Sequence, residues 1–122
     1  MGELDAAALA RQVVDVLREV GLEAVFPGSG PDAGEPSGPA GAHVFINETR
    51  GGVVCVRWEC SPALQARAGA VAGDERLTDA DVQLDGRTRF AMCEAIERVL
   101  VVAGYRAGQN VDRVPPYVWV MS

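Results

Sequence analysis

His43-Val44-Phe45-Ile46-Asn47-Glu48 and Val53-Val54-Cys55-Val56-Arg57-Trp58-Glu59 flank Thr49-Arg50-Gly51-Gly52. Two runs rich in β-branched and aromatic residues around a short glycine-containing segment read as a β-hairpin. A three-residue loop, Thr49-Arg50-Gly51 with Gly51 at positive φ, pairs Glu48 with Gly52, Ile46 with Val54 and Val44 with Val56. Side chains alternate between the two faces of a strand. One face therefore carries Val44, Ile46, Val54, Val56 and Trp58, a continuous core surface. The other carries His43, Phe45, Asn47, Cys55, Arg57 and Glu59. A four-residue loop is the alternative, and a slip of one residue would exchange one strand's faces.

Upstream, Leu9, Val13, Val16, Leu17 and Val20 recur at helical spacing, so residues 4–20 read as an amphipathic helix ended by Gly21. Residues 22–26 read as a short strand. Pro27 to Gly41 is different: nine of its 15 residues are proline or glycine, and no large apolar side chain is among them. Such a segment buries too little to offset its ordering entropy, and it reads as a flexible surface loop at 27–41 within one domain spanning 1–122.

Downstream, Ser61-Pro62 is a helix start, a side-chain cap followed by proline. Leu64, Ala68 and Val71 form a thin stripe that stops at Gly73. Residues 74–86 have two readings. Thr78-Asp79-Ala80-Asp81 caps a helical turn, or Val82 and Leu84 alternate as a short strand. A second long helix covers 88–103, with Phe90, Cys93, Ile96, Val99, Leu100 and Ala103 on one face and Gly104 at its end. Val20-Gly21-Leu22-Glu23-Ala24 and Ala103-Gly104-Tyr105-Arg106-Ala107 echo each other, which points to one helix-to-strand exit used twice. Tyr117-Val118-Trp119-Val120 reads as a terminal strand, placed at a sheet edge because Pro115-Pro116 precede it. The order is α-β-β-β-α-α-β: a small α+β domain with two long helices and one short helix packed on one face of a mostly antiparallel sheet.

At 122 residues such a domain buries about two-thirds of its surface and needs no staple. Eleven basic residues against 17 acidic ones give a net charge of −6, which removes the counterion-release source of nucleic-acid affinity. Arg87-Thr88-Arg89, the nearest approach to a basic cluster, follows Asp74, Glu75, Asp79, Asp81 and Asp85. No apolar run is long enough to cross a bilayer, and the acidic start Met1-Gly2-Glu3-Leu4-Asp5 is unlike a signal peptide. The expectation is a cytoplasmic protein that binds neither nucleic acid nor membrane. Every basic residue is arginine, so Schiff-base and phosphate-loop lysine chemistry is excluded, and the single histidine, His43, excludes histidine pairs.

Cys55, Cys60 and Cys93 lack the spacing of a zinc ribbon or a redox pair, and they are odd in number. Three thiols are expected, with Cys60 and Cys93 used in packing. Cys55 shares a face with His43, but nothing beside it in sequence supplies the activation that a catalytic thiol needs. Asp81-x-Gln83-x-Asp85-Gly86 imitates the start of a calcium loop but has glutamine at position three and Met92 at position twelve. Asp85 is expected to cap the helix that follows. Gly28-Ser29-Gly30 lacks the first glycine of a nucleophile elbow, and no Gly-x-Gly-x-x-Gly follows a strand.

The leading expectation is a small non-enzymatic interaction or adaptor module. It acts through the mixed face with His43, Phe45, Asn47, Cys55 and Arg57, with no catalytic residue, no metal and no cofactor. Its partner is another protein or a second copy in a homodimer. The alternative is a ligand-binding or enzymatic domain with a pocket between the sheet and the 27–41 loop. That alternative would use His43, Asn47 and Arg57, with Cys55 as a further candidate, and a cavity shared by His43, Arg57 and Cys55 would favour it.

Overall fold

A computed structural model describes residues 5–26, 40–110, 112 and 114–122. Asp5 caps α1 (Ala6–Glu19), its carboxylate accepting from the Ala8 amide at 2.7 Å. The buried face of α1 is Leu9, Ala10, Val13, Val14 and Leu17. At its end Gly21 takes a φ of 101°, the Leu22 amide donates to the Leu17 carbonyl and the Gly21 amide to Arg18. This is the Schellman exit. It leads into β1 (Ala24–Val25), where the Arg18 guanidinium donates to the Ala24 carbonyl at 3.0 Å.

The hairpin is β2 (Gly41–Asn47) and β3 (Val53–Glu59), in the expected register, with Val44 opposite Val56 and Ile46 opposite Val54. Its loop is longer than the three residues read from sequence. Glu48–Arg50 wind into a 3-10 turn, and Gly51 and Gly52 both take positive φ to close it, so Glu48 and Gly52 are not a ladder pair. The 27–41 loop falls mostly outside the described residues. Gly41 itself starts β2: an added Cβ there would lie 2.7 Å from the Glu23 carbonyl oxygen, where β1 runs alongside.

α2 (Pro62–Gly69) is capped by Ser61, carries proline in its first turn and lies against α3 (Ala80–Val102). The helical reading of 74–86 holds. Residues Gly73–Leu77 form a 3-10 turn, and the Asp79 carboxylate caps α3 by accepting from the Asp81 and Val82 amides at 2.9 and 3.0 Å. Asp85 is therefore inside the helix, one turn before its partner Arg89, and is not a cap. Gly104, with a φ of 102°, ends α3 by the same exit as α1: the Tyr105 amide reaches the Leu100 carbonyl and the Gly104 amide that of Val101.

That second exit leads into β4 (Arg106–Asn110), a strand missing from the expected order, which antiparallel β5 (Tyr117–Met121) joins to β3. The sheet order is β1-β2-β3-β5-β4, antiparallel except for the β1–β2 pair. The terminal strand is thus internal, and the edge is β4. Pro115 and Pro116 precede the ladder instead of interrupting it, and the polar Arg-Ala-Gly-Gln-Asn run suits an edge. The fold is α+β. Leu17, Ile96, Leu100 and Cys93 from α1 and α3 pack onto Ala42, Val44, Val54, Val56, Val118 and Val120, with Trp58 partly buried against them.

Candidate functional site on the second sheet face

The ladder pairs lay out the face opposite the core in three rungs. Nearest the β2–β3 turn, Asn47 stands opposite Val53, and Met121 opposite Arg106. In the middle rung Phe45 pairs with Cys55, Cys55 with Trp119 and Trp119 with Gly108. In the third, His43 pairs with Arg57 and Tyr117 with Asn110. All five residues expected at the site therefore lie on one face. Sequence reasoning missed Tyr117, Trp119 and Met121, which the internal position of β5 adds to it. Their alternation with the core residues Val118 and Val120 is the sequence signal for that face.

The aromatic groups are tied together. The Phe45 and Tyr117 rings meet edge to face, with centroids 6.2 Å apart. The Arg57 guanidinium carbon lies 5.4 Å from the Phe45 centroid, and the Asn110 amide donates to the Tyr117 hydroxyl at 2.8 Å. Gly108 is small for a reason: an added Cβ would run into the Trp119 indole, which lies across it.

At the Glu59 end, the face closes into a charged cluster. Arg57 is 9% exposed and Glu59 1%. Arg57 Nε is 2.8 Å from Glu59 Oε1, yet neither atom has an aligned hydrogen-bond partner, so the contact is an ion pair and not a hydrogen bond. Gln65 of α2 donates to Glu59 Oε2 at 3.3 Å, and Arg89 of α3 lies 3.6 Å from Oε1. Arg89 also binds Asp85 and donates to the Trp58 carbonyl at 3.1 Å. Burial opposes its charge, but Asp85 and Glu59 outweigh that and hold the guanidinium more firmly protonated.

Cys55 is 1% exposed. Burial pushes its thiol up to about 12, against weaker opposing effects of Asn47 and Arg50. It stays protonated at neutral pH and lacks the thiolate character of a nucleophile. A groove of ≈ 240 Å³ runs beside it, lined by Arg50, Val53, Cys55, Tyr117, Trp119 and Met121. Neither His43 nor Arg57 lines this groove, so Cys55 does not share it with them.

A second cleft, ≈ 350 Å³, lies between α2, α3 and Pro115–Pro116, with Gln65, Arg76, Asp85 and Arg89 in its wall. These groups already serve the fold: Arg76 donates to the Ala68 and Val71 carbonyls, and Cys60 contacts the Asp85 carbonyl. Asp81, Gln83 and Asp85 sit on helix α3, not on a calcium loop. Among the described residues no group of three or more His, Cys, Asp or Glu is placed to hold a metal ion. No helix among them is long and apolar enough to cross a membrane. Comparison with known protein families, curated proteins and solved structures gave no match.

Proposed function

We propose that this protein is a non-enzymatic interaction module that docks a protein partner on the second sheet face, at the end nearest the β2–β3 turn. The observation that carries this reading is the groove between Val53, Cys55, Trp119 and Met121, where Met121 remains 43% exposed. An aromatic floor with an arginine at its wall has the composition enriched in protein interfaces. The protonated Cys55 supports a binding role over covalent catalysis. The acidic balance of the chain supports a protein partner over nucleic acid or an anionic membrane. Three unpaired thiols suit the reducing cytoplasm, where we place the protein.

The test is selection of binders from a library of short random peptides displayed on phage, followed by amide chemical-shift mapping. Shifts confined to β3, β5 and the turn, and lost in Met121→Asp, support the proposal. Binders that map to the cleft between α2 and α3, or no binder at all, sink it.

A further inference from the structure

We infer that the partner segment is acidic: an apolar side chain flanked by carboxylates, seated in the groove between Arg50 and Arg106. The inference rests on the proposed docking role of this face and names the chemistry it recognises.

Size comes first. At ≈ 240 Å³ the groove falls below the roughly 300–1,000 Å³ of small-molecule pockets, so it suits a side chain carried on a larger partner. Charge comes next. Most described arginines are engaged: Arg57, Arg67, Arg89 and Arg98 in ion pairs, Arg18 and Arg76 on backbone carbonyls. Arg11, Arg50, Arg87 and Arg106 are exposed and make no ion pair among the described residues, and of these Arg50 and Arg106 lie on the side of the sheet that holds the groove. Arg50 lines the groove, and Arg106 stands opposite Met121 on the neighbouring strand. In a chain of net charge −6, one uncommitted cation thus lines the apolar groove and another stands on the strand beside its Met121, with Glu48 of the turn as the acid nearest in sequence to Arg50.

Placement narrows the motif. Arg50 sits in the turn that precedes β3 and Arg106 starts β4, with β5 between the two strands. An extended segment laid across β5, with carboxylates on both sides of its apolar residue, meets one arginine at each end. The same charges argue against a second copy as occupant. A twofold contact brings a patch onto itself and sets arginines against arginines.

Three fluorescein-labelled peptides test this by anisotropy: a leucine between pairs of glutamates, the same peptide with lysines, and the glutamate peptide with glycine at the centre. The glutamate–leucine peptide should bind at least tenfold more tightly than either control and weaken with added salt. Arg50→Glu with Arg106→Glu, both exposed and checked for native circular dichroism, should reverse the preference between glutamate and lysine. Equal binding of the acidic and basic peptides, or a double reversal without effect, overturns the inference. If phage-selected peptides still map to the face in that case, the docking role survives and its acidic preference does not. Shifts away from the face for every selected peptide defeat the docking role itself. A dimer in sedimentation that Met121→Asp dissolves also overturns the inference, because a second copy is then the occupant.

Discussion

At Gly108 a methyl group would occupy the space of the Trp119 indole, so Gly108→Ala must push the ring off the sheet or shift β4. Overpacking of this kind costs about 1–3 kcal/mol. Denaturant unfolding should show that loss, together with a change in tryptophan emission; an unchanged midpoint and spectrum would mean that the ring does not lie there. Nothing in the sequence announces this role, because it depends on β4 pairing with β5. The thiols give a second expectation. Burial raises Cys55 to about 12 and, with smaller effects from neighbours, Cys60 and Cys93 to about 11, from an ordinary value of 9.0. Well below pH 9 both folded and unfolded chains keep these protons, and the thiols add no pH dependence. Between 9 and 11 the unfolded chain ionises while the folded one does not, so stability falls as pH rises. Replacing all three with alanine or serine should flatten that alkaline loss relative to the parent protein. An equally steep decline in the triple variant would assign it to other groups.

Two segments show why elements differ in legibility. The leading register of the hairpin holds because it sets the apolar residues of both strands on one face, where a one-residue slip would turn one strand's set away from the core, and that same alternation placed His43, Phe45, Asn47, Cys55 and Arg57 together. The stretch from 74 to 86 had no leading reading, because Val82 and Leu84 fit a strand as well as a helix. What decides it is the Asp79 cap, which satisfies two amides that the first turn of α3 leaves open. Leu84, 55% exposed, is then no core residue. Asp79→Ala should cost about 1 kcal/mol, and Asp79→Asn much less, since both acid and amide cap well. Equal losses for the two, read by thermal unfolding, would point to the charge and not the cap. β4 escaped reading for the opposite reason: its five residues include no β-branched or aromatic side chain, and its place comes from the helix exit at Gly104 and from β5. The two matching helix-to-strand exits were visible in sequence; the strand β4 that the second one opens, absent from the expected order, was the part the structure added.

Across the whole molecule, Glu59 joins what the chain order separates. It ends β3, faces Arg57 on its own strand, accepts from Gln65 of α2 and lies near Arg89 of α3, itself bound to Asp85. The mixed face was legible as far as Arg57 and Glu59. Their partners were not, because α2 and α3 reach them only after the chain has turned twice. Two guanidinium groups and two carboxylates share this buried cluster, so it is neutral as a whole, and its energetics depend on keeping it intact. Glu59→Gln removes the carboxylate that Arg57 and Arg89 share, leaving Arg89 its pair with Asp85 and Arg57 no ion pair among the described residues. A broken buried pair of this kind costs about 3–5 kcal/mol. Arg57→Met made alone strips away one cation and also its stacking on Phe45. Combined with Glu59→Gln it restores the charge balance, so the double variant should be more stable than the sum of the two single losses implies. Urea unfolding of all four proteins measures that coupling as a double-mutant cycle. Strict additivity would show that Arg57 and Glu59, despite their 2.8 Å contact, do not sustain one another, and would leave Gln65 of α2 and Arg89 of α3 as the partners that hold Glu59.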